Sequence, residues 1–203
     1  SAQDDSARVK NMTRRAIKTS TYIMAPLMIG LVFCANTIVE LVLTEKWLPC
    51  VPFLQIFCIA YMFQPIHTSN LNAIKAMGRS DLFLKLEIAK KIVGVTVLIF
   101  TMWFGVMAMA YSLLLTNVMG MIINSWPNKK LLNYSFKEQI FDIFPTIILA
   151  IIMGGCVWFI GIFKFSNAIT LIIQVPLGVV IYIIGSKLLH IDSFEYLLQI
   201  VES

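Results

Sequence analysis

The sequence predicts an all-α polytopic membrane protein, a six-helix transmembrane bundle, and its composition is the first reason. Of its 203 residues, 59% are hydrophobic and 13% are charged, and the mean hydropathy is +0.83. Soluble domains average roughly 45–50% apolar and about 25% charged residues. Several apolar runs also approach or exceed the ~20 residues that a helix needs to cross a bilayer. Together these observations argue against a very apolar soluble domain.

Six runs are long and apolar enough to be transmembrane helices: 21–43, 51–77, about 86–103, 106–126, 143–163 and 166–186. Residues 1–20 are expected to form a cytoplasmic loop with an amphipathic lead-in, and residues 187–203 a cytoplasmic amphipathic tail. The boundary between the third and fourth predicted helices is the least marked, because no charged residue occurs from 92 to 128. We place it at Trp103-Phe-Gly105, an aromatic and glycine corner suited to a short interfacial turn.

The cationic residues are distributed unevenly among the gaps between these runs. One side of the predicted membrane receives fourteen of them: Arg8, Lys10, Arg14, Arg15, Lys18, Lys75, Arg79, Lys85, Lys90, Lys91, Lys129, Lys130, Lys137 and Lys187. The opposite side receives Lys46 and Lys164. Because cytoplasmic loops carry the excess of Lys and Arg, both ends of the chain are expected in the cytoplasm. The net charge of +5 is then a topology signal, and no nucleic-acid partner is needed to explain it.

Few residues suit catalysis or metal binding. The four cysteines (Cys34, Cys50, Cys58 and Cys156) are scattered without a C-x-x-C pair, and the chain has only two histidines. No glycine-rich phosphate loop and no paired intramembrane carboxylates occur. We therefore expect no enzyme activity, no catalytic residue, no metal and no cofactor. The chain also opens without Met or a signal peptide, and we expect it to be part of a longer polypeptide.

The second predicted helix contains an unusual polar stretch, QPIHTSNLNAIK (64–75). At 100° per residue, Gln64, His67, Thr68, Asn72 and Lys75 fall within an arc of about 140°. Unpaired polar groups in hydrocarbon cost several kcal/mol each, so this arc must face other helices or a water-filled cavity. Pro65 removes a backbone donor and clashes with the carbonyl of Tyr61, which predicts a kink.

Two interpretations of the polar arc remain open at this stage. In one, the arc lines a cavity that binds substrate, since intramembrane ionisable groups are functional candidates. In the other, its amides only hydrogen-bond neighbouring helices, as we also expect for Asn117, Asn124 and Gln174. Glu87 precedes Lys90 and Lys91 by three and four residues, a spacing that allows ion pairing. One of these lysines is a candidate for adding positive charge to the cavity.

The order and spacing of several segments resemble the C-terminal half of bacterial polysaccharide and O-antigen flippases, in the multidrug/oligosaccharidyl-lipid/polysaccharide flippase superfamily. The segments are QDDSARVK (3–10), RRAIK (14–18), APLMIGL (25–31), EKWLP (45–49), VPFLQI (51–56), NLNAIKAMGRSDLF (70–83) and EIAKK (87–91). The resemblance is clearest over residues 1–125. From there to the end it continues as hydropathy alone.

This resemblance implies a function. Members of the family look like two six-helix bundles around a central cavity that opens alternately to either side of the bacterial inner membrane. They move polyprenyl-diphosphate-linked oligosaccharide to the outer leaflet. This chain would be the second bundle, and its partners would be the lipid-linked oligosaccharide, membrane lipids, the N-terminal bundle of the same polypeptide and polysaccharide assembly proteins. Its cavity-lining residues would be Gln64, His67, Thr68, Asn72, Lys75, Lys90 and Lys91.

Two other functions are compatible with the sequence. A cation-coupled multidrug exporter of the same superfamily would use a carboxylate deep in the membrane, whereas Glu40 and Glu87 lie close to helix ends. A membrane scaffold without transport activity would pair the whole polar face of the second helix with its neighbours. The pairing of that face therefore distinguishes a scaffold from a transporter.

Overall fold

The computed structural model describes residues 2–163 and 166–202, and the secondary structure in these ranges is helical, with no strand. The eight α-helices are α1 (Ala2–Leu43), α2 (Val51–Tyr61), α3 (Gln64–Ala76), α4 (Ser80–Thr101), α5 (Val106–Leu132), α6 (Phe136–Gly161), α7 (Asn167–Leu188) and α8 (Asp192–Glu202). Short 3₁₀ segments cover Glu45–Cys50 and Met102–Phe104. Lys164, one of the two cations assigned to the outer side, lies outside the described residues.

The predicted class, an all-α polytopic membrane protein, is confirmed. Five segments of the described chain are long and apolar enough to cross a membrane: Ser6–Leu43, Glu45–Ala76, Val106–Leu132, Phe136–Gly161 and Asn167–Leu188. The remaining predicted span, about 86–103, lies in α4, which has 22 residues. Residues 80–91 of α4 include five charged side chains, so this helix is less apolar than the others. A sixth span there stays a prediction.

The N-terminal stretch differs from the loop expected there, because α1 begins at Ala2 and runs without interruption to Leu43. Arg, Lys and Ala, which dominate residues 7–18, are strong helix formers. Thr13 and Ile17 are buried one helical turn apart, whereas Arg14 and Arg15 are exposed. A charged segment with one buried stripe is an amphipathic helix, which explains why it continues the span rather than forming a loop.

The second span is interrupted where proline predicts it. The structure ends α2 at Tyr61 and starts α3 at Gln64, with Pro65 in the first turn of α3. Proline is well accepted in a first turn, where its missing N–H has no intrahelical partner, whereas in a helix interior it removes one backbone hydrogen bond. The predicted division between α4 and α5 is confirmed at Gly105, whose φ of +92° suits glycine.

The chain divides into two compact units, and the first comprises residues 1–21 and 63–143. Here the start of α1 is tied to the turn between α5 and α6. Arg14 Nη2 donates to Asp142 Oδ1 at 2.5 Å, and the Tyr134 hydroxyl donates to Asp142 Oδ2 at 2.8 Å. Lys10 Nζ donates to the carbonyl of Asn133 at 2.6 Å. Burial, reinforced by the bond to Asp142, raises the pKa of Tyr134, so this hydroxyl keeps its proton.

The second unit comprises residues 22–62 and 144–203. Two glycines of this unit permit close helix contacts. A Cβ on Gly154 would collide with the ring of Phe33, and one on Gly185 would collide with Leu149. Small residues at such contacts are typical of membrane helix packing. Gln174 is buried and donates to the Val157 carbonyl at 2.9 Å, which confirms its predicted packing role.

Candidate functional site

The polar stretch of α3 is divided between two faces of the helix. Gln64, Thr68, Asn72 and Lys75 are all exposed and form what we call the polar face. His67, the fifth member of the predicted arc, is only 9% exposed and belongs to the buried face with Ile66 and Ile74. On the predicted helix, His67 lies at one edge of the arc. In the structure it is buried, unlike the other four residues of the arc.

The side chains of the polar face make few contacts. Thr68 Oγ1 donates to the Gln64 carbonyl of its own helix at 3.2 Å, and Lys75 Nζ lies 4.3 Å from the ring centroid of Phe83. Among the described residues, the side chains of Gln64 and Asn72 have no hydrogen-bond partner on another helix. The prediction that the whole arc bonds to neighbouring helices is therefore wrong for the polar face within this chain.

His67 does bond to a neighbour. Its Nδ1 lies 3.2 Å from Nδ2 of Asn124 on α5, and both residues are buried. This confirms the packing role expected of Asn124. The other ring nitrogen, Nε2, is buried and has no hydrogen-bond partner in the described part of the chain.

The structure also reveals a polar cluster that the sequence argument missed. Asn70, Ser125, Asn128 and Gln139 are each at most 1% exposed, and they join α3, α5 and α6. Asn70 and Gln139 exchange amide hydrogen bonds of 2.7 and 3.0 Å, and Asn128 Nδ2 donates to Asn70 Oδ1 at 2.6 Å. We call this group the Asn70 cluster. A signal for it was available, since Asn70 is an amide on an otherwise apolar helix face, and Ser125 and Asn128 share one face of α5.

Lys90 and Glu87 form the ion pair that their spacing predicted. Lys90 Nζ lies 2.5 Å from Glu87 Oε1, and the two side chains are 21% and 32% exposed. Lys91, one residue further on, is exposed. Of the seven predicted site residues, only His67 and Lys90 therefore meet at one place, and the others lie on exposed surface.

That place is a pocket of about 250 Å³ between α3, α4 and α5. Its lining residues are His67, Lys90, Gly94, Thr116, Asn117, Gly120 and Ile123, and we call it the His67 pocket. Gly120 is essential to its shape, because a Cβ there would lie 3.0 Å from Cε1 of His67. Asn117 faces His67 of α3 and Lys90 of α4 in this pocket, and its Nδ2 donates to the Leu113 carbonyl of its own helix at 2.9 Å.

A second, apolar groove of about 570 Å³ lies within the second unit, between α1, α6, α7 and α8. Its polar groups are already paired: Tyr22 donates to Ser186 at 2.7 Å, and Tyr182 donates to the Tyr22 carbonyl at 2.8 Å. No group of three His, Cys, Asp or Glu side chains within the described ranges is arranged to hold a metal ion. The His67 pocket and the polar face are therefore the places where polar chemistry remains available.

Comparison with known proteins finds similarity to proteins named for polysaccharide biosynthesis. Residues 1–52 match a family described as polysaccharide biosynthesis protein. The chain is 29% identical over 123 residues to an uncharacterized membrane protein in the cps region of Klebsiella pneumoniae, covering 60% of this chain and 25% of that protein. It is 22% identical over 161 residues to lipopolysaccharide biosynthesis protein WzxC of Escherichia coli (strain K12), covering 75% and 33%. No solved structure matches the chain significantly.

The chain thus spans about a quarter to a third of the length of the curated relatives it matches. Both relatives are larger proteins, one named as a membrane protein and the other for lipopolysaccharide biosynthesis. The resemblance inferred from the sequence is confirmed by these matches: this is a multi-pass membrane protein similar to the polysaccharide flippase family.

Proposed function

We propose that this chain is the second helical bundle of a transporter that flips polyprenyl-diphosphate-linked oligosaccharide from the cytoplasmic to the outer leaflet of the bacterial inner membrane by alternating access. Its first bundle would come from the same polypeptide, and both ends of this chain would be cytoplasmic. Membrane lipids and polysaccharide assembly proteins would be its other partners.

The observation that carries the proposal is the polar face of α3. Gln64 and Asn72 lie within a membrane-spanning segment, are exposed, and have no side-chain partner on another helix of the described chain. Hydrocarbon would reject such a face, so it requires a polar passage or a covering partner. Amide and hydroxyl groups can replace water around a sugar during its crossing, and the exposed cation Lys75 at the end of α3 can attract the diphosphate.

The same observation weighs against the scaffold function, which required a fully paired polar face. A multidrug exporter is distinguished by its ligand and by its need for a carboxylate in the membrane. Within the described residues, Glu87 is paired with Lys90 and is therefore not a free coupling group.

The test is complementation of a strain that lacks the full-length gene. The wild-type gene is expected to restore surface glycan and to clear lipid-linked oligosaccharide that has accumulated on the cytoplasmic side. The double variant Gln64→Leu/Asn72→Leu is expected to restore at least tenfold less glycan at equal protein level, because two polar contacts at about 1 kcal/mol each are lost.

The matched control is Thr96→Val, which alters an exposed threonine of α4 whose hydroxyl bonds only to the Ile92 carbonyl of its own helix. Full activity of the double variant would remove the polar face from the mechanism. Unchanged glycan in the deletion strain, after a redundant flippase has been excluded, would overturn the proposed function. Drug resistance conferred by the full-length gene would then favour the exporter.

A further inference from the structure

The hydrogen-bonding groups of the His67 pocket identify the part of a substrate that fits there. Two side chains of α5 direct a donor to a carbonyl of their own helix. Asn117 Nδ2 donates to the Leu113 carbonyl at 2.9 Å, and Thr116 Oγ1 donates to the Ser112 carbonyl at 3.0 Å. No described residue donates to the amide oxygen of Asn117. The α5 wall of the pocket therefore offers oxygen acceptors, together with the second N–H of the Asn117 amide.

The α4 wall offers donors. An ammonium group has three N–H donors, and Lys90 directs one of them to Glu87 at 2.5 Å. Two donors therefore remain. Because the Glu87 carboxylate balances the charge of Lys90, this wall carries little net charge.

Charged ligands fit this combination poorly. A diphosphate has acceptors only, so it would leave the oxygens of Asn117 and Thr116 without a donor. A metal ion or an organic ammonium group accepts no hydrogen bond, so it would leave the two remaining donors of Lys90 unused. The pocket is therefore suited to a neutral group that both donates and accepts hydrogen bonds.

Sugar hydroxyls have this property, since each carries one donor and two acceptor lone pairs. The size of the pocket agrees, because about 250 Å³ is slightly below the range of roughly 300–1,000 Å³ that holds drug-sized ligands. His67, which lines it, is nine-tenths buried and keeps one nitrogen without a hydrogen-bond partner. This nitrogen is therefore available to a further hydrogen-bond partner.

We propose that the His67 pocket is a subsite for one sugar ring of the transported lipid, with Asn117 and Thr116 as acceptors, Lys90 as donor and Gly120 as the residue that leaves room for the ring. The proposal rests on the proposed function, but it changes the role of Lys90 from attracting the diphosphate to binding hydroxyl groups. Exposed cations such as Lys75 and Lys91 would then attract the diphosphate.

The experiment measures binding to the purified full-length protein in lipid nanodiscs. Two probes are compared: lipid-linked oligosaccharide extracted from the deletion strain, and polyprenyl diphosphate without sugar. Asn117→Leu is expected to weaken binding of the glycolipid about tenfold, the equivalent of one well-placed hydrogen bond, and to change binding of the sugar-free lipid less than twofold. Gly120→Ala is expected to weaken glycolipid binding about threefold, because its methyl group presses on the His67 ring.

Gly155→Ala is the matched control, because a Cβ at this glycine of α6 would meet nothing within 4 Å. It is expected to bind both probes as the wild type does. Equal losses for both probes in Asn117→Leu would assign the pocket to the diphosphate or to folding, and unchanged glycolipid binding would assign it no role; either result overturns the proposal. If the wild type binds neither probe, the proposed function itself fails, a result distinct from failure of the subsite alone.

Discussion

The Asn70 cluster and the His67 pocket are both built from α3 and α5, yet they differ in how their polar atoms are used. In the Asn70 cluster, amides and a hydroxyl bond to one another at 2.6–3.2 Å, and only Asn128 Oδ1 lacks a partner. In the His67 pocket, oxygens of α5 and two donors of Lys90 have no partner in the described chain. Closed polar networks stabilise a fold, whereas open ones are available to a ligand.

Asn70→Leu should have the largest effect on stability. The substitution removes the bonds that Gln139, Asn128 and Ser125 make to the Asn70 side chain in a buried site, which costs about 1–3 kcal/mol. The thermal unfolding midpoint of the full-length protein in detergent is expected to fall, and transport to fall with it.

The control for Asn70→Leu is the same substitution two residues away. Asn72→Leu replaces an exposed amide without a partner on another helix, so the unfolding midpoint should stay near that of the wild type while transport decreases. Equal loss of stability in the two variants would show that the polar face is packed against protein in the full-length chain.

Asn124→Leu and Asn117→Leu extend the comparison within α5. Asn124 bonds to His67 across the helix contact, so its loss is expected to cost about 1 kcal/mol in stability. Asn117 bonds only within its own helix, and its replacement should change the unfolding midpoint little. If Asn117→Leu destabilises the protein as much as Asn124→Leu, the pocket has a structural role.

Glu87→Gln should have the smallest effect on stability, because partly exposed ion pairs contribute about 0–1 kcal/mol. It should instead change ligand preference. Removal of the carboxylate leaves Lys90 uncompensated, so sugar-free polyprenyl diphosphate should bind more tightly than it does to the wild type. Asp81→Asn, which neutralises an exposed carboxylate of α4 that is paired with Arg79, is the control, and an equal gain in that variant would show a nonspecific effect of charge.

The fold followed from the sequence where a single physical rule was decisive. Length and hydropathy predicted the spans, Pro65 predicted the break between α2 and α3, and Gly105 marked the turn before α5. The start of α1 was missed because charge alone suggested a loop, whereas residues 7–18 are helix formers with one buried stripe.

The site followed only in part, because periodicity assigns residues to helix faces but does not say which face is buried. His67 lay at the edge of the predicted arc, and the structure turns it inward. Asn70 lay on the apolar face, and its partners Asn128 and Gln139 are far from it in sequence. Sequence alone offered no reason to select Thr116 or Gly120, because their position in a site becomes visible only when α3, α4 and α5 enclose the pocket.

The central claim is that the polar face of α3 lines a water-filled passage in the full-length protein. Thr68→Cys and Thr96→Cys test it in a background whose native cysteines, including Cys34, Cys50, Cys58 and Cys156, are replaced. Both threonines are exposed and bond within their own helices, but Thr96 is surrounded by the exposed apolar residues Ile92, Val95 and Ile99. The measurement is labelling in membranes by a charged, water-soluble maleimide. The account predicts that the cysteine at position 68 is labelled and the one at position 96 is not; equal protection of both would contradict it.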